Sequence, residues 1–485
     1  MTTVQGNTTA SAQKGVYQED YPYQTNTSKV FASIAEQPFS AFLDSGRRGK
    51  DASVETYLGR FDILVYRPDT VITTRGNVSI LRTSDGSTEQ YGDPFTVVQQ
   101  VLNKITKAQN VETQIPFIGG ALGYFAYDLG RQIKNIPSVA KESSSMPDMQ
   151  LGIYDSALIF DHKLKQAYIV GYGYRGVLKK RFEEWRALLK KNRKQESQPL
   201  HVVEQLQSNM GFEFYRQQFA KVKKHIHDGD VYQINLAQRW RAKAIGDPWE
   251  AYRQLSAHSP APYGAFLNFE FGEVLSNSPE RFVQLYQGLA MTAPIKGTRA
   301  RSHVNADADR SNAEALTASA KDKAENLMIV DLIRNDLGRV CKIGSVQVAK
   351  LFELQSFANV HHLVSTITGR LAKGMQALDL IRACFPGGSI TGAPKVRAME
   401  IIEELEPDRR GVYCGSIGYI SLNGNMDSNI AIRTLVHEAG ELHYSAGGGL
   451  VHDSKVEAEY QESFLKAGLM NKLVSNMGNN NNHQK

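Results

Sequence analysis

Three cysteines in 485 residues, Cys341, Cys384 and Cys414, stand far apart, and none belongs to a C-x-x-C pair. Neither a disulfide framework nor a zinc knuckle is expected from them. No uninterrupted apolar run reaches membrane length, and the residues up to Asp20, rich in Thr, Ser and Gln, lack the basic start and apolar core of a secretory signal. The composition therefore predicts a soluble, cytoplasmic protein without a membrane partner. The chain also has no long basic block, since Lys and Arg are interspersed with Asp and Glu to a net charge of +6. No nucleic-acid partner is expected, while a mild positive bias suits an anionic small substrate. The glycine-rich run 385–395 is not a nucleotide-binding P-loop, because Pro394 breaks the Gly-Lys junction which that loop requires.

What remains is an ordinary globular composition, 41% apolar and 22% charged, in a chain long enough for a large core. Residues 1–28 and 474–485 carry few apolar side chains and are expected to be frayed. The basic and polar stretch 190–199 marks a boundary between a first region, 29–200, and a motif-dense second region, 211–473. Residues 60–66 and 158–160 read as strands and 177–192 as an amphipathic helix. Residues 212–227 have helical spacing and end at Gly229, a suitable helix stop. Strands follow at 231–240, 412–422, 430–437 and 441–446, the last three forming a meander, and a final helix spans 456–473. Strands outnumber helices without strict alternation, which fits α+β.

Pro294-Ile295-Lys296-Gly297-Thr298-Arg299 places a lysine on a glycine-hinged turn, with Arg299 and Arg301 as cationic neighbours. Desolvation or a nearby cation lowers a lysine pKa and frees its lone pair for nucleophilic attack; a solvated turn lysine or an anion contact fits the same hexapeptide. Asp322 with Glu325, and Glu459 with Glu462, each stand at i,i+3 on one helix face. Four such carboxylates brought together repel one another unless a hard cation such as Mg²⁺ lies between them. Separately they are solvated faces, with Glu462 and Lys466 an i,i+4 ion pair. Ser278-Pro279-Glu280 ends an apolar strand and offers a carboxyl whose shielding would keep it protonated as a general acid. The run 445–450, containing Gly447, Gly448 and Gly449, brings backbone N–H groups toward an anion or serves as a connector. In His361-His362, adjacent strand positions face opposite ways, so at most one histidine faces a site.

These segments in this order, above all 294–299, 324–337 and 387–395, resemble the chorismate-utilising enzymes, densely over 211–472 and loosely over 39–68. The resemblance implies an α+β fold with a large antiparallel β-sandwich core, surrounding helices, and intertwined N-terminal and C-terminal regions. It also implies that Glu325 and Glu462 hold Mg²⁺ with Asp322 and Glu459 supporting. Lys296 would attack C2 of chorismate while Glu280 protonates the departing C4 hydroxyl, and ammonia would then displace the lysine from C4. Tyr413, Arg433, Gly447, Gly448 and Lys466 match substrate-carboxylate positions; Thr298, His362 and Ser389 line the ring, and Gln233 is expected among the substrate-binding residues.

Within this family, anthranilate synthases usually carry alanine at the place of Lys296, and isochorismate and salicylate synthases a water-activating lysine at the place of Gln233. Lys296 with Gln233 points to the branch that makes 4-amino-4-deoxychorismate for p-aminobenzoate and folate. Anthranilate formation, with ammonia entering C2, is the first alternative. A non-catalytic chorismate-binding subunit is another, although neither Glu280 nor a metal carboxylate is lost. No Gly-x-Cys-x-Gly nucleophile elbow occurs, so ammonia is expected from outside or from a separate glutamine amidotransferase subunit. The segment 41–45 resembles the start of the family's tryptophan pocket, making Ser45 the expected effector contact, with an edge strand leading into a loop as the plain alternative.

Overall fold

The computed structural model describes residues 2–3, 14–46, 59–105, 111, 113–191, 200–357 and 360–479. Strands with apolar side chains on both faces build its centre. In Ser40–Asp44 and Phe61–Val65, Ala41, Ile63 and Val65 join one buried cluster while Phe42 and Leu64 join another, because successive side chains alternate across a strand. Such strands need cover on both sides.

Two large antiparallel sheets result. The first runs, among the described residues, from the two-residue strand Thr2–Thr3 through Lys14–Tyr21, Gln166–Tyr174, Ser156–Asp161, Phe61–Val65, Ser40–Asp44, Tyr263–Phe269, Gly272–Ser278, Thr434–Glu438, Glu441–Leu450 and Gln233–Ile245 to the short His201–Val202. The second begins at Ile295–Ala300 and continues through Val360–Arg370, Leu289–Thr292, Arg281–Tyr286, Met426–Asn429, Ser416–Ser421, Gly120–Phe125 and Met149–Tyr154 toward Thr70–Arg75. Ala41, Ile63 and Val65 of the first sheet share a core with Ile72, Tyr124 and Leu151 of the second. On the outer face of the first sheet, Phe42, Leu64 and Phe160 pack with Trp185 and Trp249 from the helices Arg175–Leu189 and Pro248–His258. Each such large side chain, taken from water, stabilises the fold by about 1.5–3 kcal/mol.

The α+β sandwich is as expected, and the two regions are fully interleaved. Ser40–Asp44 pairs with Tyr263–Phe269, and Gly120–Phe125 with Ser416–Ser421, so the boundary at 190–199 divides neither sheet. The N-terminal expectation is corrected: Lys14–Tyr21 is a strand pairing at eight positions with Gln166–Tyr174, and Val16 and Tyr17 are buried. Ladder hydrogen bonds and two apolar contacts offset the ordering entropy that its polar composition suggested would win. The last helix, Val456–Asn479, outruns its expected end. Residues 4–13, 192–199 and 480–485, also covered by these expectations, lie outside the described residues.

Two short segments cross between the sheets in opposite directions. Pro279 and Glu280 link Gly272–Ser278 of the first sheet to Arg281–Tyr286 of the second; residues 430–433 link Met426–Asn429 back to Thr434–Glu438. The Ile430 N–H donates to the Glu280 carbonyl at 3.0 Å and the Asn277 N–H to the Arg433 carbonyl at 3.0 Å. The crossings therefore lie side by side.

Candidate active site

A cavity of about 970 Å³ opens over these crossings. Glu280 comes from one crossing and Arg433 from the other; Lys296 comes from an edge strand of the second sheet; Asn235 and Gly447 come from paired strands of the first. The helices Ala320–Gly338 and Val456–Asn479 add Asp322, Glu325, Glu459, Glu462 and Lys466.

Lys296 lies in the strand Ile295–Ala300 rather than in a free turn. Ile295 pairs with Val364 and Thr298 with His362, so Lys296 and Gly297 form a bulge, and Gly297 adopts φ +86°. Leu316 and Asp322 would meet any side chain at Gly297, which explains the glycine. A bulge re-aims the neighbouring side chain, here into the cavity. Burial lowers the Lys296 pKa and the Lys466 ammonium assists, while Glu325, Glu280 and Glu462 oppose. The expected cationic neighbours are corrected: Arg299 faces Asp322 at 3.6 Å and Arg301 pairs with Asp309 at 3.0 Å. Lys466 takes that part. Glu280 is 5% exposed and its Oε1 has no hydrogen-bond partner. Burial raises its pKa against the nearby Ser389 hydroxyl and Lys296 ammonium.

Neither Lys296 nor Arg433 has a carboxylate within ion-pairing distance among the described residues, and burial lowers the Arg433 pKa. Two cations that form no direct ion pair, with Lys466 beside them, leave charge in the cavity for an anionic group to meet. His362 shares a hydrogen bond with Thr298 Oγ1 at 2.9 Å; burial, with Arg433 nearby, holds its pKa down at about 4. His361 faces away to Asp309 and Ser356, as strand alternation requires. Ser389 and Tyr413 also line the cavity.

The glycine run is not a connector but the end of the strand Glu441–Leu450, paired with Gln233–Ile245. A Cβ on Gly448 would lie 3.2 Å from Glu459 Oε2 and 3.7 Å from both Glu462 Oε1 and Lys466 Nζ, so this glycine makes room for those groups. The expected substrate contact at Gln233 is corrected: this residue does not line the cavity. It is fully buried behind Gly449, its amide atoms without partners.

The four acidic residues share the cavity but are engaged locally. Glu462 pairs with Lys466 at 2.7 Å, Glu325 with Lys321 at 3.9 Å, Asp322 with Arg299, and Glu459 accepts from Ser454 at 2.6 Å. No three acidic, histidine or cysteine side chains among the described residues converge as a metal cluster. The donor chemistry nonetheless fits Mg²⁺, being carboxylate oxygen throughout. Burial and the Glu462 charge raise the Glu459 pKa, a repulsion that a divalent cation relieves.

Ser45 lies elsewhere, on a second cavity of about 560 Å³ with Asp44, Tyr263, Arg281 and Met291. Its N–H donates to Asp62 Oδ1 at 2.8 Å and its hydroxyl is buried without a partner. Cys414, expected in a strand, instead occupies a turn at φ +64°. Asn235 and Lys321 are among the cavity residues that escaped sequence reasoning. Period two from Gln233 and the i,i+4 spacing from Glu325 were the available signals.

This fold, with an anion-adapted cavity where its sheets exchange strands, places the chain among the chorismate-binding enzymes, to which it belongs: the family model of that description matches residues 42–472. Aminodeoxychorismate synthase component 1 of Klebsiella aerogenes is 46% identical over 436 residues, covering 90% of this chain and 94% of that protein. Anthranilate synthase component 1 of Acetivibrio thermocellus is 33% identical over 491 residues, covering 95% and 97%. Among solved structures, anthranilate synthase component I from Streptococcus pneumoniae TIGR4 superimposes with a TM-score of 0.76 at 32% identity, covering 87% of this chain and 94% of that one.

Proposed function

We propose that this chain converts chorismate and ammonia into 4-amino-4-deoxychorismate through covalent capture by Lys296. The observation that carries the reading is Lys296 itself, a desolvated amine without a counter-ion, in one cavity with the buried acid Glu280. The depressed pKa increases the neutral fraction that can attack. A bond forms from Nζ to C2, both ring double bonds shift (C1=C2 to C1=C6 and C5=C6 to C4=C5), and the C4–O bond breaks as Glu280 delivers its proton, so that water leaves. Ammonia then bonds to C4, both double bonds shift back, and the C2–N bond breaks to return the lysine. The sum is chorismate and ammonia giving the amino product and water.

Arg433, Lys466, Tyr413 and the backbone at Gly447 and Gly448 are assigned to the substrate carboxylates, and Thr298, His362 and Ser389 to the ring. Mg²⁺, held by Glu325 and Glu462 with Asp322 and Glu459 in support, would bind the ring carboxylate. Gln233, buried behind Gly449 and without a basic amine, offers nothing to activate water, which favours ammonia as the nucleophile. The higher identity to an aminodeoxychorismate synthase component than to an anthranilate synthase component supports the same branch. A chain that keeps Glu280, Lys296 and all four carboxylates is read as an enzyme rather than a silent binding subunit. A separate glutamine amidotransferase is its proposed source of ammonia, and tryptophan the proposed occupant of the cavity beside Ser45.

The test is Lys296→Ala, assayed with chorismate, Mg²⁺ and ammonium with product identification by mass. Turnover should fall by several powers of ten, or the product should change to that of ammonia entering at C2. An unchanged rate with an unchanged product would reduce Lys296 to a contact.

A further inference from the structure

We infer that Arg410, a residue outside the cavity, is a positioning residue for the reaction, because it fixes together the backbone segments that present Asn235, the Ser389 turn and Tyr413. This inference rests on reading the cavity as the chorismate site. Arg410 is 4% exposed and its partner Glu406 6%. Nε donates to Glu406 Oε2 at 2.8 Å and Nη2 to Glu406 Oε1 at 2.7 Å. Nη1 donates to the Ile390 carbonyl at 2.8 Å, and Nη2 also to the Asn235 carbonyl at 2.8 Å. Glu406 Oε1 in turn accepts the Ala237 N–H at 2.9 Å. The guanidinium carbon lies 4.6 Å from the Tyr127 ring centroid and 6.0 Å from that of Tyr413.

Ile390, Asn235 and Tyr413 all line the cavity, and Ile390 directly follows Ser389. One planar cation thus joins three segments that are distant in sequence. Only a guanidinium supplies this pattern, since its donors form a rigid fork while a lysine offers one point of charge. Any buried guanidinium must satisfy its remaining donors, and here the acceptors are carbonyls of two cavity-lining residues, so the group that completes the ion pair also holds the cavity backbone. Arg410 touches no reacting atom in this scheme; it acts through Ser389, Asn235 and Tyr413.

The experiment compares wild type, Arg410→Lys, Ser389→Ala and the double variant for kcat/KM with chorismate and ammonium, alongside thermal unfolding. Arg410→Lys should lose about 100-fold in kcat/KM, the scale expected when reacting groups shift by about 1 Å, while still unfolding cooperatively. Ser389→Ala should cost much less in the Arg410→Lys background than alone, because the turn is already displaced. Additive losses would mean a structural role only, and an unchanged kcat/KM would remove the role altogether. Should Arg410→Lys not fold, Glu406→Gln, which keeps an acceptor for Ala237 and one for Arg410, enters the same cycle with the same expectations. An inactive wild type would overturn the chorismate reading itself, whereas an active wild type beside an equally active Arg410→Lys overturns this inference alone.

Discussion

Lys466 Nζ stands 2.7 Å from Glu462 Oε1, one helical turn away, and 3.1 Å from the Gly447 carbonyl of the facing strand. The same ammonium depresses the Lys296 pKa. One cation therefore links the proposed metal carboxylates, the strand backbone and the proposed nucleophile.

Glu462→Ala should abolish turnover at limiting Mg²⁺ without lowering the unfolding temperature, since both Glu462 and Lys466 are about half exposed and an exposed pair contributes less than about 1 kcal/mol. A titration of rate against Mg²⁺ checks this. Near wild-type turnover at limiting metal would remove Glu462 from the metal site.

Purified alone, the chain should use ammonium salts and leave glutamine untouched. Its three cysteines are all buried, and burial pushes the Cys414 thiol up to about 12 and raises the pKa of the other two, which leaves no thiolate nucleophile for amide cleavage. Glutamine-dependent product without an added partner would contradict the assignment.

The cavity beside Ser45 should hold tryptophan, detectable by calorimetry or, when it co-purifies, in the extract of the denatured protein. Its lining of Tyr263, Met291 and Pro262 with Asp44 at one side suits an apolar body carrying a charged amine. Tryptophan absent from both measurements would return the cavity to a packing defect.

Acid should weaken the fold through Glu438. Burial pushes its pKa up, but the His443 ring and the hydroxyls of Ser144 and Ser145 outweigh that and hold it at about 2. A carboxyl whose folded pKa is depressed binds fewer protons when folded. Its contribution is complete above the ordinary value near 4.5 and is lost as pH falls from there toward 2. Burial also lowers the His443 pKa, which acts in the same direction at somewhat higher pH. Glu438→Gln should cost about 1–3 kcal/mol at neutral pH and flatten the acid limb of unfolding temperature against pH. A limb of unchanged slope would show that other carboxylates set it.

The helix-borne residues were the most legible part of the site. The i,i+3 pairs Asp322/Glu325 and Glu459/Glu462 sit on helices of the expected kind, because helical spacing is local and survives tertiary packing. Glu280 likewise follows the end of its apolar strand, in the crossing to the second sheet. The bulge at Lys296 was invisible, since a bulge exists only relative to the partner strand, whose register is set by residues 360–364. The sources of charge around Lys296 were misread for the same reason: Arg299 and Arg301 are near in sequence, but their carboxylate partners on the following helices claim them. Lys14–Tyr21 shows the converse limit, a polar stretch made into a strand by an edge elsewhere in the chain. The role inferred for Arg410 had no sequence signal, because its acceptors are backbone carbonyls of ordinary residues.

The interleaving of the sheets also has a cost in time. The Ile118 N–H donates to Ser421 Oγ across 303 residues of chain. A ribosome adding about 5–20 residues per second delivers that partner roughly 15–60 s after Ile118 emerges. Until then Gly120–Phe125 presents an open edge where Ser416–Ser421 will pair, and such edges invite association with other chains. A chain cut short before residue 416 therefore leaves both sheets unfinished instead of losing a dispensable end.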